Sequence, residues 1–236
     1  MKILILTTDT PHHTYFVSKI VSKYKNTFIV CEKKKIKFPF KTIHSFEKKR
    51  DVFEIKSWFK NRNYMLRNMK RVSFIKDINL LNYSKLRKLN FSVIFVFGTG
   101  ILRKNFLQKI KTLILNFHGG NPEVHRGLDS HLWAILNKKF NQLYVTLHKL
   151  IPEIDRGNIL FKKKIILRKN MKIHELRKIN TEICVKLAFK TINLLKNKKK
   201  LLFKKQKIKG KYFSAMKSSD KEKCQIIFNH YTKNIL

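Results

Sequence analysis

Asn116 and His118 are the residues whose types and spacing most directly suggest chemistry. They lie two positions apart at the end of an apolar run, Thr-Leu-Ile-Leu-Asn-Phe-His, that predicts a buried strand. Because side chains alternate along a strand, both are expected on the same face. An amide and a titratable imidazole on one face can stabilise an oxyanion. The alternative is a pair of ordinary polar residues at a strand end.

Rare residue types gather around this pair. Six of the seven glycines, four of the nine histidines and four of the fourteen acidic residues lie between Gly98 and Gly157. Elsewhere the chain is rich in Lys, Ile, Asn and Phe, a composition typical of A/T-rich codons, and such drift removes glycine. The clustered glycines therefore indicate special backbone geometry or close approach of a ligand.

Two stretches of this window suggest further roles. Phe-Gly-Thr-Gly at 97–100 follows a predicted strand, so it forms either a ligand-binding loop at the carboxyl edge of a sheet or a tight turn into a helix. Asp155, in Pro-Glu-Ile-Asp-Arg-Gly, precedes another strand. It could orient and charge a histidine, or it could belong to an ordinary type I turn.

Several other site classes are not favoured. His118, His125, Asp129 and His131 lack a recognised metal-ligand spacing, so no metal is predicted. The sequence contains no G-x-S-x-G, G-x-G-x-x-G or G-K-[ST] motif. Its three cysteines are widely separated, which fits a reducing cytoplasm, the predicted location.

The elements that must position these residues follow an α/β pattern. A strand, a helix and a second strand open the chain within residues 2–33, which predicts a Rossmann-like, open, mostly parallel sheet with helices on both faces. Further predictions are a surface loop over 33–50 and helices over 54–71, 128–139 and 170–197, with Asp129 or Ser130 capping the second of these helices. The remainder shows no clear period. We expect a catalytic domain at 1–200 and a short basic extension at 201–236.

The net charge of +40 has two interpretations. Clustered Lys and Arg would indicate a polyanion partner such as nucleic acid. The lysines are instead spread along the whole chain, which favours compositional drift, although the charge would still steer anionic substrates. The longest apolar stretch is about half the ~20 residues of a membrane span, and the amino terminus does not resemble a signal peptide. We therefore expect a soluble protein.

Taken in order, five segments resemble the folate-dependent formyltransferases. They are VIFVFGTGIL at 93–102, LNFH at 115–118, RG at 126–127, HLWAI at 131–135 and VTLHKLIPEIDRGNIL at 145–160. This family includes the glycinamide ribonucleotide, methionyl-tRNA and sugar N-formyltransferases. The resemblance implies the family's Rossmann-like fold and transfer of a formyl group from 10-formyltetrahydrofolate to an amine. It covers residues 93–160; the opening β-α-β agrees with the family at the level of fold only.

The resemblance also implies roles for individual residues. Asn116, His118 and Asp155 match the catalytic trio, with Asn116 and a protonated His118 donating to the oxyanion. Asp155 would raise the pKa of His118, keep it cationic and help a water to carry the proton. The residues that match the pterin pocket and the folate-binding loop are Thr99, Gly100, Ile101, Leu102, Ile151, Pro152 and Glu153.

Departures from the family concern the amine acceptor. Gly119 stands where the family usually has Pro, and Thr-Asp-Thr-Pro-His-His follows the first strand in place of a glycine-rich phosphate loop. We also expect no carboxy-terminal tRNA-binding domain, because 236 residues are too few for one after the catalytic domain, although the charge of +40 could partly substitute for it. We therefore expect a small amine, such as an amino sugar attached to a nucleotide, with Arg126 contacting it. His12 and His13 either contact the acceptor as well or form a solvated turn.

Two alternatives remain open at this stage. A formyltetrahydrofolate hydrolase would use the same trio with water as the acceptor; the hydrolases usually carry a domain ahead of the first strand, where this sequence begins. A basic RNA-binding module on an inactive scaffold would explain the charge but not the clustered Gly, His and Asp.

Overall fold

The computed structural model describes residues 1–34, 37–60 and 66–235, apart from the side chain of Lys85. The strands in these ranges are β1 Ile3–Thr7, β2 Thr27–Glu32, β3 Val72–Ile75, β4 Val93–Phe97, β5 Ile114–His118, β6 His125–Gly127, β7 Tyr144–Lys149, β8 Ile159–Lys164 and β9 Lys211–Phe213. The main sheet has the order β3-β2-β1-β4-β5-β7-β8. Its first five strands are parallel, whereas β7 is antiparallel to both β5 and β8. This confirms the predicted α/β, mostly parallel sheet.

Helices cover both faces of that sheet. They are α1 Pro11–Lys23, α2 Ser45–Phe59, α3 Tyr83–Leu89, α4 Lys104–Gln108, α5 Ser130–Leu136, α6 Leu176–Lys196 and α7 Ser218–Lys233. Ile3 and Ile5 of β1 pack in the core beneath α1, α5, α6 and α7, and Leu4 and Leu6 pack in the core beneath α3 and α4. A strand buried on both faces has no polar face, which explains why β1 reads as an uninterrupted apolar run.

The segment between β2 and β3 differs from the prediction. The loop predicted over 33–50 is wrong over its last six residues, because α2 begins at Ser45. The His44 side chain accepts from the N–H of Phe46, and the Glu47 carboxylate accepts from the N–H of His44, so a capping box starts the helix. The helix predicted over 54–71 ends at Phe59; residues 61–65 lie outside the described ranges, and a 3-10 turn at Leu66–Asn68 follows.

Asp129 precedes α5 but does not cap it. Its side chain makes no capping hydrogen bond. The carboxylate instead accepts from the backbone N–H of Met216 at 2.9 Å and lies 3.6 Å from Nζ of Lys221. The Asp129 carboxylate therefore binds the carboxy-terminal segment and does not accept from the N–H groups of α5, so the predicted Asp129 cap is wrong. Ser130, the other candidate, is the first residue of the helix and its hydroxyl donates to the Gly127 carbonyl.

The carboxy-terminal part of the chain packs on the rest of the molecule. The helix predicted over 170–197 is a 3-10 turn at Ile173–Glu175 followed by α6. Beyond it, β9 pairs in parallel with β6, and α7 packs on α5. The division at residue 200 stays a prediction. Among the described helices, none is both long and apolar enough to cross a membrane.

Candidate active site

The predicted trio meets at the edge of the sheet where β5 ends. Asn116 and His118 lie in β5, and Asp155 lies in the loop between β7 and β8. Oδ2 of Asp155 is 3.4 Å from Nδ1 of His118, and its Oδ1 is 3.4 Å from the Asn116 amide nitrogen. The antiparallel pairing of β7 with β5 delivers this loop to the β5 terminus. The structure therefore brings together all three residues predicted from the sequence.

A fourth side chain, His148, completes the cluster. Its Nε2 is 3.3 Å from Oδ1 of Asp155 and 3.2 Å from the amide nitrogen of Asn116. His148 stands opposite Asn116 in the β5–β7 register. Sequence reasoning did not select it as a site residue, although the Thr-x-His part of the motif at 146–148 was a signal for it.

The Asp155 carboxylate is held in its ionised form. Burial alone would raise its pKa, but the two histidines and the backbone N–H of Gly127, which donates to Oδ2 at 2.8 Å, hold the pKa below the usual range. The backbone of Asp155 adopts a left-handed φ of 54°. This conformation is uncommon for a non-glycine residue and is maintained here by its surroundings.

His118 has an oxygen atom opposite each ring nitrogen. Nδ1 faces Asp155, and Nε2 lies 2.9 Å from the backbone carbonyl oxygen of His125. Burial lowers the pKa of His118, and the nearby His148 lowers it further, while the Asp155 charge opposes the shift. The expected charge effect of Asp155 is present, but desolvation exceeds it. The predicted net rise in the pKa of His118 is therefore wrong in direction.

A cavity of about 500 Å³ opens beside this cluster. One side is largely apolar and includes six residues predicted to contact the folate: Thr99, Gly100, Ile101, Leu102, Ile151 and Pro152. The exposed side chains of Ile101 and Tyr212 also line it. Its volume and mainly apolar lining suit a small, partly apolar ligand. Glu153, the seventh predicted residue, is not among the described lining residues.

Glu32 positions the loop on that side. This buried side chain at the end of β2 accepts from the N–H of Gly100 at 2.6 Å and from the N–H of Ile78 at 2.8 Å. At Gly98, φ is +84° and a Cβ would lie 2.2 Å from the imidazole of His13. The backbone conformation and the packing of His13 therefore require glycine at position 98, whether or not a ligand binds there.

The residues predicted to contact the acceptor occupy different environments. His12, His13 and Arg126 are not among the described residues that line the cavity. Burial, with the charge of Arg177, lowers the pKa of His13 to about 3, so His13 is neutral. Arg126 donates to the carbonyl oxygens of Gly210 and Ile154 and ties two loops together. Their contact with an acceptor stays a prediction.

The opposite side of the cavity is formed by α2, α5 and α6. It is lined by Phe46, Arg50, Ser130, His131, Leu176, Arg177 and Asn180. Arg177 is paired with Glu54 and Asp51, and Arg50 is paired with Glu47 and Asp51, so both guanidinium groups already have carboxylate partners. Within the described ranges, no group of three or more His, Cys, Asp or Glu side chains is arranged to hold a metal ion.

Comparison with known proteins agrees with this geometry. The chain is 30% identical over 128 residues to methionyl-tRNA formyltransferase of Borreliella burgdorferi strain ZS7, a match that covers 53% of this chain and 40% of that protein. The chain thus spans less than half the length of this curated relative. No protein-family model matches the chain.

Two solved formyltransferases have the same fold. An N-formyltransferase from Helicobacter canadensis, in complex with folinic acid and dTDP-3-aminofucose, aligns with a TM-score of 0.58 at 16% identity, covering 91% of this chain and 71% of that one. Methionyl-tRNA formyltransferase from Clostridium thermocellum aligns with a TM-score of 0.56 at 15% identity, covering 92% and 73%. These findings confirm the resemblance to formyltransferases predicted from residues 93–160.

Proposed function

We propose that this protein transfers a formyl group from 10-formyltetrahydrofolate to an amine. The observation that carries the proposal is the convergence of Asn116, His118 and Asp155 beside a largely apolar cavity lined by both predicted folate-binding segments. The fold and the sequence match to formyltransferases support it. In the reaction, the amine nitrogen bonds to the formyl carbon, the bond from that carbon to N10 of the folate breaks, and one proton passes from the amine to N10.

Asn116 is the proposed first donor to the oxyanion. Among the described residues, its amide nitrogen contacts the Asp155 carboxylate at 3.4 Å, beyond the usual range of a hydrogen bond, and His148 at 3.2 Å, at the upper end of that range, so a formyl oxygen can compete for its protons. His118 is the proposed second donor. Its Nε2 proton leaves the hydrogen bond to the His125 carbonyl and is donated to the developing oxyanion instead. Charge on that oxygen and on Asp155 together favours the protonated imidazole during the reaction. A water beside Asp155 relays the proton from the amine to the folate nitrogen.

The proposed acceptor is an amino sugar attached to a nucleotide. Support comes from the Helicobacter canadensis structure, which holds dTDP-3-aminofucose together with folinic acid. The curated relatives act instead on methionyl-tRNA, to judge by their names. The panel of acceptors in an assay must therefore include both nucleotide-linked amino sugars and methionyl-tRNA.

The test is an assay of purified protein with 10-formyltetrahydrofolate and this panel. We expect formamide product and tetrahydrofolate in equal amounts, measured by mass spectrometry and absorbance. His118→Ala and Asp155→Asn should each lower kcat by at least about 10²-fold. Full activity in both variants would overturn the assigned mechanism. Release of formate without any amine would show that the protein is a hydrolase rather than a transferase. Tight, salt-sensitive RNA binding without catalysis would show that it is an RNA-binding module and overturn both enzyme functions.

A further inference from the structure

Asn79 lies in the 3-10 turn Ile78–Leu80, and three hydrogen bonds fix its half-buried side chain. The amide nitrogen donates to the carbonyl oxygen of Ile101 at 3.0 Å and to Oδ1 of Asp77 at 2.9 Å. The amide oxygen accepts from the N–H of Arg103 at 2.8 Å. A backbone N–H only donates, and a carbonyl oxygen only accepts, so these partners determine the orientation of the amide.

Two of these bonds hold residues 99–102, the predicted folate loop. They reach the carbonyl group before Leu102 and the N–H group after it. A residue of a parallel strand bonds to its neighbouring strand in the same pattern. Leu102 is 4% exposed and packs in the core, whereas the side chain of Ile101 is 64% exposed and lines the cavity. The Asn79 amide thus takes the place of a strand residue and keeps these two side chains on different sides.

Glu32 anchors the same loop one residue earlier. Its buried carboxylate accepts from the N–H of Gly100 at 2.6 Å and from the N–H of Ile78 at 2.8 Å. Ile78 directly precedes Asn79 in the 3-10 turn. One side chain at the end of β2 therefore joins the turn that carries Asn79 to the folate loop.

The folate loop depends on these side chains for its conformation. Within the described ranges, no hydrogen bond joins a backbone group of residues 99–102 to another backbone group. The Thr99 hydroxyl donates to the carbonyl oxygen of Gly100, a contact inside the loop itself. A loop with so few backbone bonds opens at low cost unless side chains hold it. A ligand that binds to an open loop must also order it, and this ordering weakens binding.

We propose that Asn79, assisted by Glu32, is a positioning residue of the folate site. The two side chains hold the folate loop in place before the ligand arrives, so that one wall of the cavity is already formed. Neither is among the described residues that line the cavity, so both act through the loop. Preorganisation of this kind strengthens binding without adding a contact to the ligand. The inference rests on the proposed function and names the residues that maintain its folate site.

Matched substitutions separate the hydrogen bonds from the shape of the side chain. Asn79→Asp keeps the shape and one acceptor oxygen, but places the other oxygen against the carbonyl group of Ile101. Asn79→Leu removes all three bonds at similar size. Glu32→Gln keeps the shape and loses the acceptor for one of its two N–H donors. Asn141→Leu is the control, because Asn141 is the exposed middle residue of another 3-10 turn, Phe140–Gln142.

Calorimetry with folinic acid gives the first readout, because binding needs no transfer. We expect Asn79→Leu, Asn79→Asp and Glu32→Gln each to raise the Kd about tenfold, as loss of one or two neutral hydrogen bonds predicts. Asn141→Leu should stay within about twofold of the wild type. In the transfer assay, the KM for 10-formyltetrahydrofolate should rise in the Asn79 variants while kcat stays within about threefold. Wild-type affinity in Asn79→Asp would show that only the shape of the side chain matters, and would overturn the proposal while leaving formyl transfer intact.

Hydrogen exchange without any ligand distinguishes this inference from the proposed function. Mass spectrometry of peptides that contain the N–H groups of Gly100 and Arg103 reports the order of the folate loop. We expect exchange there at least about tenfold faster in Asn79→Leu than in the wild type or Asn141→Leu. Unchanged exchange, or exchange that rises equally in all peptides, would overturn the local role of Asn79 whether or not folate binds. A wild type that binds no folinic acid would instead overturn the proposed function, and with it the folate role of Asn79.

Discussion

The side-chain amide of Gln206 donates to the backbone carbonyl oxygen of Asp155 at 2.8 Å. The same nitrogen donates to the carbonyl oxygen of Gly157 at 2.8 Å, and Gln206 is buried. A residue from the carboxy-terminal segment thus fixes both sides of the turn that carries the proposed catalytic carboxylate. Residues beyond 200 therefore help to build the site.

Gln206→Leu should destabilise the protein and reduce its activity. The substitution leaves two carbonyl oxygens without this donor, at a cost of about 1–3 kcal/mol in the free energy of unfolding. Looser placement of Asp155 should lower kcat more than it raises the KM for folate. Urea unfolding and steady-state kinetics measure both effects. Gln108→Leu, on the exposed side of α4, is the control and should behave as the wild type; equal stability of the two variants would contradict the role of Gln206.

Gly127→Ala should be more damaging than Gly119→Ala. Gly127 has φ of +91°, and a Cβ there would lie 2.1 Å from the carbonyl oxygen of Phe213 in the paired strand β9. Left-handed backbone alone costs a non-glycine residue about 1–2 kcal/mol, and the clash adds to it. Because the N–H of Gly127 donates to Asp155, activity should fall as well. A Cβ at Gly119 would meet its nearest neighbouring atoms at 3.3–3.5 Å, so the unfolding midpoint of Gly119→Ala should stay close to that of the wild type. Similar midpoints for both variants would show that β6 and β9 adjust freely.

Local pattern was enough to predict the half of the site that lies on regular elements. Alternation along β5 placed Asn116 and His118 on one face, and the apolar runs of β1 and β4 predicted a parallel sheet buried on both sides. Asp155 was selected because a charged residue stood in a turn next to a strand, together with a motif resemblance. These inferences depend on neighbours within a few residues, which the sequence displays directly.

The parts that failed depend on distant partners or on desolvation. Nothing near Gln206 in sequence shows that it contacts Asp155, 51 positions away. Asp129 looks like a helix cap until the N–H of Met216 takes its carboxylate. The pKa of His118 was predicted from one neighbouring charge, but burial, which only the folded chain reveals, has the larger effect.

Stability should fall as the pH decreases from about 6.5 towards 4. Burial lowers the pKa of His13 to about 3 and that of His131 to about 4, whereas histidines of an unfolded chain titrate near 6.5. Between these values the unfolded chain binds more protons, so the free energy of unfolding rises with pH. The contribution of these groups is complete above about pH 6.5 and is lost progressively as the pH falls through the folded values.

Urea midpoints measured from pH 4.5 to 8 test this dependence. His13→Gln should flatten the profile between pH 4.5 and 6.5, because one buried neutral histidine no longer contributes. Asn141→Gln, at an exposed position without a titratable group, should leave the slope unchanged. An identical slope in wild type and His13→Gln would mean that His13 does not titrate differently in the folded and unfolded chains.

Asn116→Leu should remove most of the catalytic rate while sparing the binding of folate. The substitution has similar volume but no amide donor, and loss of one oxyanion donor typically lowers kcat by about 10²–10³-fold. Binding of folinic acid should stay within about threefold, because the predicted folate-binding segments at 99–102 and 151–152 remain in place. Single-turnover rates and calorimetry separate the two effects, and Asn141→Leu, at an exposed position, controls for the added apolar side chain. A single-turnover rate within tenfold of the wild type would contradict the role of Asn116 and assign stabilisation of the oxyanion to His118 instead.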